Sequence, residues 1–247
     1  MWAVRDALRG LVYFHYDKGS RSGDTARKLI GSYRGTVQTD GYEAYNTFEG
    51  APDKRMLGCW AHVRRKFAET LDEDRKHASE ALVYIGKLYE LEANMNEAGM
   101  SSYDQKRALR QEKAYHVIQE LEKWLISKVN AFGKNSRMAK AVGYTYALAP
   151  RLGRYVNDGR YNIDNNGVEN AIRPLALGRK NYLFCGNHDA AVRDALVYSL
   201  LSSCKAFGVD ERTWLEDVLV CVKKGQDGKI SNTPEELKAL LPAISRQ

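Results

Sequence analysis

Residues 36–42 read Thr-Val-Gln-Thr-Asp-Gly-Tyr, a short β-branched run that ends on an aspartate and a glycine. β-branched residues favour a strand, and an Asp-Gly pair favours a turn directly after it. We therefore predict a strand with Asp40 at its carboxyl end, where the backbone holds a side chain firmly. The plain alternative is that Asp40 only shapes the turn, because most Asp-Gly pairs have no chemical role.

Residues 165–174 read Asn-Asn-Gly-Val-Glu-Asn-Ala-Ile-Arg-Pro and place Glu169 in a helix-forming segment, with Arg173 one turn further on. Two hard carboxylates among basic residues, Asp40 and Glu169, suit a magnesium site that acts on phosphate. The alternative for Glu169 is a surface pair with Arg173 at i,i+4, worth roughly 0.2–0.5 kcal/mol.

The first 70 residues predict alternating strands and helices. Residues 2–5 and 11–16 favour a hairpin around Gly10, and Asp24 is placed to cap a helix that stops at Gly31. A further strand over 55–59 leads into a basic helix over 61–67. This order indicates a mixed sheet with helices packed on it, an α/β chain of the mixed α+β kind.

The following hundred residues predict helices. Apolar residues repeat with a period of 3.6 in two sets, Leu82, Ile85, Leu88 and Tyr89, and Ile118, Leu121, Leu125 and Val129. The sequence 98–102 favours a break between these helices, and Gly133 and Pro150 are expected to bound later ones.

The carboxy-terminal part predicts three more helices after the one with Glu169. One lies near 192–204, and the next carries Trp214, Val218 and Cys221 on a face that we expect to be core. Thr233 as N-cap, with proline and then glutamate after it, predicts a last helix that stops before Pro242.

Composition is that of an ordinary globular protein, with 247 residues, 44% hydrophobic and 28% charged. No apolar run is long enough to span a membrane, and the amino terminus lacks a secretory pattern. The four cysteines have no short paired spacing, which favours reduced thiols and a cytoplasmic location.

The charge is unevenly distributed along the chain, whose net charge is +7. Residues 123–157 contain basic but no acidic side chains, and residues 170–187 repeat this pattern. Interleaved with Tyr144, Tyr146, Tyr155 and Tyr182, these segments are typical of a surface that follows phosphates. The alternative is a helix face whose acidic partners lie elsewhere in the fold.

Two Cys-x-x-His pairs, Cys59 with His62 and Cys185 with His188, have a spacing that zinc can use. Such short spacings often occur by accident, and Cys59 is expected at a buried strand end. His62 can instead contact a phosphate or orient a carboxylate, because it follows the end of that strand.

Five blocks, in order, resemble the insertion-sequence-sixty-six family of transposases: 21–23, 39–42, 59–67, 169–174 and 178–181. The resemblance implies a ribonuclease-H-like fold with a large helical insertion. It also implies that Asp40 and Glu169 are the second and third members of an aspartate-aspartate-glutamate triad. The implied activity is magnesium-dependent DNA cleavage and strand transfer, with manganese as a substitute metal.

The first aspartate of that triad has no counterpart among these blocks. Asp6 and Asp17 are the early candidates, and both are expected to end hairpin strands. We therefore expect the chain to be the carboxy-terminal part of a catalytic region that lacks the first strand and first aspartate. The expected segments are a first core part over 1–70, a helical insertion over 71–160, the glutamate helix and remaining core over 161–208, and a helical element over 209–247.

The expected metal ligands and catalytic residues are Asp40 and Glu169. The expected DNA contacts are His62, Arg64, Arg65, Arg173, Arg179 and Lys180. The expected partners are transposon-end and target DNA, a second copy in a synaptic complex and accessory proteins of the same element. The alternative function is a non-catalytic DNA-binding transposase remnant, and a third is a helical interaction protein without a DNA role.

Overall fold

A computed structural model describes residues 1–182, 185–225 and 229–242. The chain divides into two compact units. We call Met1–Ser20 with Gly167–Gln247 the terminal unit, and Arg21–Asn166 the central unit. No helix in the described ranges is both long and apolar enough to cross a membrane.

The terminal unit begins with the predicted hairpin. Strand β1 (Trp2–Arg5) pairs antiparallel with β2 (Val12–His15). The turn between them contains Gly10 at φ +79°, and the Asp6 carboxylate accepts hydrogen bonds from the backbone N–H groups of Leu8 and Arg9. Asp6 therefore serves the turn that follows β1, as its position in the sequence indicates.

The core of the terminal unit forms where β2 packs on helix α8 (His188–Phe207). Val12, Phe14 and Ala195 are buried there, and the Ser199 hydroxyl accepts a hydrogen bond from the Phe14 backbone N–H at 2.7 Å. Helix α7 (Asn166–Tyr182) adds an apolar side to this cluster, Ala171, Ile172 and Leu175. This packing fixes the helix that carries Glu169.

Two further helices follow in the terminal unit, α9 (Glu211–Cys221) and α10 (Pro234–Ala239). The predicted capping box of α10 is confirmed, because Thr233 and Glu236 bond each other's backbone. Trp214 is buried as expected, and its indole N–H donates to the Leu240 carbonyl at 2.8 Å. The expectation of a core position for Cys221 is wrong: it ends α9 and is exposed.

The central unit begins with α1 (Gly23–Ile30) and the parallel pair β3 (Gly35–Gln38) and β4 (Lys54–Leu57). A 3-10 helix over Glu43–Phe48 lies between the two strands. The predicted cap at Asp24 is wrong. Ser22 is the N-cap of α1, and Asp24 lies in the first turn, where it pairs with Arg27.

The described residues thus contain one antiparallel and one parallel pair of strands, in two separate small sheets. The prediction of a mixed α/β chain is confirmed at this level, and helices make up most of the structure. The single mixed sheet is wrong for the described residues, because the hairpin pairs only with itself and β3 pairs only with β4. The order strand, strand, helix, strand, helix, strand, helix is also as predicted, with the 3-10 helix as the middle one.

The helical core of the central unit is built from α2 (Trp60–Ala68), α3 (Arg75–Glu97), α5 (Tyr115–Lys128) and α6 (Arg137–Gly153). A short α4 (Tyr103–Leu109) continues through a π-helical turn at Arg110–Ala114 into α5. The predicted break over 98–102 is confirmed. Both periodic sets contribute buried side chains: Ile85, Leu88, Ile118, Leu121 and Leu125.

Two expectations for this core are wrong in detail. Pro150 does not bound a helix, because α6 continues through it to Gly153. Proline removes one N–H donor from the hydrogen bonds of the helix at this position, and the helix nevertheless continues. Val129 is 41% exposed, because α5 ends one residue before it.

Candidate functional site

Asp40 lies two residues after the end of β3 in the central unit and is half-buried. The Thr39 backbone N–H donates to the Leu57 carbonyl at 3.1 Å, which extends the pairing of β3 with β4 to the residue before Asp40. One oxygen of Asp40, Oδ1, accepts a hydrogen bond from the Tyr42 backbone N–H at 2.9 Å. Asp40 therefore both ends a strand and shapes a turn, and its Oδ2 bonds no group in the described residues.

Gly41 lets helix α6 come close to this turn. Its φ is +81°, and a Cβ there would lie 2.7 Å from Leu148 Cδ1 and 3.1 Å from the Tyr144 hydroxyl. That hydroxyl donates to the Asp40 carbonyl at 2.5 Å. The backbone around Asp40 is thus held by α6 as well as by β4.

Two tyrosines border the Asp40 carboxylate. Burial, and then the negative charge of Asp40, raises the pKa of Tyr45 to about 12. The same two causes in the same order raise the pKa of Tyr144 to about 12, and Arg65 opposes this shift. The Lys66 ammonium lies 5.9 Å from the centre of the Tyr144 ring. Asp40 therefore has neutral hydroxyl groups beside it and cations of α2 nearby.

The Cys59-x-x-His62 spacing forms a hydrogen-bonded group at the start of α2. Cys59 is fully buried, and its thiol donates to Asn165 Oδ1 at 2.9 Å. His62 Nδ1 lies 3.1 Å from the same sulfur. Because the thiol proton points to Asn165, the sulfur is an acceptor for the N–H of His62 Nδ1, and Nε2 is the ring nitrogen outside this group. Burial raises the pKa of the Cys59 thiol, so it stays protonated.

The second Cys-x-x-His pair makes different contacts, in the terminal unit. His188 Nδ1 shares a hydrogen bond of 2.8 Å with the Tyr16 hydroxyl, and Cys185 is exposed. Nowhere in the described residues do three or more His, Cys, Asp or Glu side chains form a group that could hold a metal ion. The described structure therefore gives no support to the zinc hypothesis.

Asp164 and Asn165 fix the backbone just before α7. Asp164 accepts hydrogen bonds from the Tyr89 hydroxyl at 2.9 Å and from the backbone and side-chain N–H groups of Asn166 at 3.0 and 2.8 Å. Burial, followed by the Asp164 charge, raises the pKa of Tyr89 well above its usual value. The sequence placed Tyr89 only in the apolar periodicity of a helix, and it did not single out Asp164, which belongs to no recognisable spacing.

Glu169 lies in the first turn of α7 in the terminal unit and is half-buried. A carboxylate is favourable there because the helix dipole is positive at that end. A Cβ on Gly167 would lie 2.7 Å from Arg5 Nη1, so the Arg5 guanidinium lies against the first turn. Arg5 is a cation near the candidate site that sequence reasoning missed, since it is distant along the chain.

The remaining candidates are all exposed or half-exposed. Arg64 and Arg65 are exposed on α2, His62 is half-exposed, and Arg173, Arg179 and Lys180 are exposed on α7. The expected alternative, an ion pair between Glu169 and Arg173, is not formed in the described structure. Tyr182 ends α7, and its side chain lies outside the described part.

The basic segment 123–157 is partly neutralised inside the central unit. Arg137 forms ion pairs with Asp72 at 2.8 Å and Glu73 at 3.1 Å, and the buried Arg151 pairs with Glu49. For Arg137 and Arg151 the alternative interpretation, acidic partners elsewhere in the fold, is therefore correct.

The comparisons with known proteins identify the class as transposases. The family described as Transposase IS66 family matches residues 1–193. The chain therefore belongs to the IS66 transposase family. No solved structure matches the chain.

The relatives are uncharacterized proteins of Sinorhizobium fredii strain NBRC 101917 / NGR234. Protein y4qI is 32% identical over 240 residues, which cover 94% of this chain and 43% of the relative. Protein y4jD is 34% identical over 230 residues, which cover 90% of this chain and 43% of the relative. The chain thus spans less than half the length of these relatives.

Proposed function

We propose that this chain belongs to the catalytic region of an IS66 transposase, a ribonuclease-H-like enzyme that cuts and joins DNA with a divalent metal. The family match supports this proposal. The observation that carries it is the state of Asp40, which keeps one carboxylate oxygen unbonded at a strand end, within the described residues. Glu169, on α7, is the second carboxylate that we assign to the same ion.

The donor chemistry fits the metal. Asp40 and Glu169 offer carboxylate oxygens, the ligands that Mg²⁺ prefers and that Mn²⁺ also accepts. When bound, such an ion activates the attacking oxygen and neutralises the charge that builds up on the phosphoryl group. The bond from Tyr42 N–H to Asp40 Oδ1 holds the carboxylate in one orientation and leaves Oδ2 for the ion.

The proposed DNA contacts lie on two helices: α2, which follows Asp40 in the sequence, and α7, which also carries Glu169. The exposed cations of α2 and α7 are suited to backbone phosphates, which position DNA without reading its sequence. They are Arg64, Arg65, Arg173, Arg179 and Lys180. His62 Nε2, the outward atom of the Cys59 group, is a further proposed contact. The proposed partners are transposon-end and target DNA, a second copy and accessory proteins of the same element.

The test is the affinity for Mn²⁺, measured by titration calorimetry on the whole chain. We expect Glu169→Gln to abolish binding, because the neutral amide removes a charged ligand. Glu211→Gln is the matched control, since Glu211 is also half-exposed in the first turn of a helix, α9. Unchanged affinity in Glu169→Gln would contradict the proposal.

DNA binding separates the enzyme from the non-catalytic alternative. A chain that binds duplex DNA at low salt but shows no Mn²⁺ affinity is a DNA-binding remnant. If the chain binds both duplex DNA and Mn²⁺, and Glu169→Gln loses Mn²⁺ binding but keeps DNA binding, it is the proposed catalytic region.

A further inference from the structure

A cleft of about 550 Å³ lies in the central unit, away from Asp40. It is lined by the first residues of β3 and β4, among them Thr36 and Arg55, and by the turn over 49–53 that precedes β4. Arg154 and Tyr161 form another part of the wall. The cleft is therefore at the amino-terminal ends of two parallel strands, whereas Asp40 follows the carboxyl end of β3.

The acidic side chains of this cleft are already neutralised. Glu49 forms an ion pair with the buried Arg151. Asp53 pairs with Lys54 at 3.1 Å, and this interaction holds the pKa of Asp53 below its usual value. Neither acid is left to repel an anion that enters the cleft.

Two guanidinium groups of the cleft keep donors unused. Arg154 donates from Nη1 to the Met56 carbonyl at 2.9 Å, and Arg55 donates from Nη1 to the Tyr161 hydroxyl at 3.1 Å. Their other N–H groups bond nothing in the described part of the chain, and neither forms an ion pair there. Each guanidinium carries five N–H donors, so most of them remain available.

A hydroxyl pair adds a neutral donor beside these cations. Tyr161 Oη lies 2.9 Å from Thr36 Oγ1. The two hydroxyl groups have two protons, of which one lies in the bond between them. Arg55 donates to Tyr161 and so uses no hydroxyl proton. The second proton is therefore left to bond an acceptor in the cleft.

The cleft thus offers unpaired positive charge and donors, with its acids neutralised. An anion with several oxygens satisfies this set, and guanidinium groups bond phosphate oxygens in pairs. We propose that this cleft binds a phosphate group of a nucleic-acid backbone. The nucleic-acid source rests on the proposed function. The phosphate chemistry rests on the cleft alone.

The test uses the whole chain and a fluorescently labelled DNA duplex, with binding followed by anisotropy at several salt concentrations. We expect Arg55→Gln to weaken binding by about tenfold at low salt and to reduce the salt slope by about one. Arg75→Gln is the matched control, because Arg75 is exposed at the start of α3 and does not line the cleft. Arg55 is exposed, so its loss is not expected to prevent folding, which thermal unfolding checks.

A second titration with inorganic phosphate and a deoxynucleoside monophosphate separates the sources. Weaker duplex binding in Arg55→Gln but not in Arg75→Gln supports the proposal. Equal effects of the two variants, or no binding of duplex or phosphate, overturn it. A third outcome is that the chain binds phosphate, loses this binding in Arg55→Gln, and does not bind duplex DNA. This outcome supports a phosphate cleft but contradicts the nucleic-acid source and the proposed function. Mn²⁺ affinity is expected to be unchanged in Arg55→Gln, so failure of the metal site is observed separately.

Discussion

Two separate effects require glycine at position 41, next to Asp40: the backbone conformation and the close packing of α6. A non-glycine residue at φ +81° is strained, and its Cβ would also press on Leu148 and the Tyr144 hydroxyl. These two effects have different origins, so a comparison with another glycine can separate them.

We expect Gly41→Ala to lower the free energy of unfolding by more than Gly50→Ala does. Gly50 has a similar φ of +76°, but a Cβ there would meet nothing within 4 Å. Gly50→Ala is expected to lose roughly 1–2 kcal/mol from backbone strain alone. Gly41→Ala adds overpacking of about 1–3 kcal/mol. Urea unfolding measures both, and equal losses would show that α6 does not press on this turn.

Tyr144 gives the site a measurable pH dependence. Its pKa is raised from 10.0 to about 12, chiefly by burial. The unfolded chain therefore loses this proton first, and above pH 10 the folded state binds more protons. Stability from this group is complete below pH 10 and is lost as pH rises towards 12.

We expect Tyr144→Phe to make the free energy of unfolding fall less steeply between pH 10 and 12. Tyr146→Phe is the control, since Tyr146 is on the same helix and 50% exposed. Urea unfolding at a series of pH values gives the slopes. An unchanged slope in Tyr144→Phe would mean that this hydroxyl is not buried beside Asp40.

Single residues show what the sequence could and could not predict. Asp40 after a strand follows from local β-branched residues and the Asp-Gly pair, and it is confirmed. The i,i+4 spacing of Glu169 and Arg173 permitted an ion pair that is not formed, because exposed pairs gain little and lose side-chain freedom. Arg5 beside Gly167 was not predictable, since tertiary folding alone brings these residues together.

Arg110 connects three elements of the central unit. It is 3% exposed and bonds Glu92 of α3 through two N–H groups, at 2.8 and 2.7 Å. Its Nη1 also donates to the carbonyls of Asp158 and Tyr161 at 3.0 and 2.9 Å. The π-helical turn that carries Arg110 is thus tied to the segment that supplies Tyr161 to the cleft.

We expect Arg110→Met to lower the free energy of unfolding by about 3–5 kcal/mol, because it leaves the Glu92 carboxylate, only 15% exposed, without its partner. Arg107→Met is the control, since the Arg107–Asp104 pair is exposed on α4. Chemical denaturation of both variants measures the difference. Similar losses would contradict a structural role for the buried pair.

At the scale of elements, local sequence patterns predicted which helices and strands exist better than they predicted where each one begins and ends. The hairpin, the long helices and the capping box of α10 follow from turns, periodicity and caps, which are short-range. The Asp24 cap failed because Ser22 is the N-cap of α1. The Pro150 boundary failed because α6 continues to Gly153, although proline removes one N–H donor from the helix. The pairing of β3 with β4 depends on tertiary contacts, so the sequence indicated a sheet without its register.

At the scale of the whole molecule, the net charge of +7 does not by itself define a DNA surface. Several cations, such as Arg110, Arg137 and Arg151, have acidic partners within the fold. Two sets of cations have no acidic partner in the described residues and are free to bind a polyanion. They are the exposed cations of α2 and α7 and the unpaired guanidinium groups of the cleft. Family membership is established by comparison, whereas the shared metal site of Asp40 and Glu169 and the four-segment division stay predictions.

The most direct test of the shared metal site is a double-mutant cycle on Mn²⁺ affinity with Asp40→Asn, Glu169→Gln and the double variant. Asp40→Asn keeps an oxygen to accept the Tyr42 N–H, so the turn is expected to persist. If both carboxylates hold one ion, each single variant loses binding and the double variant loses nothing more. Wild-type affinity in either single variant, or losses that simply add, would contradict a shared ion.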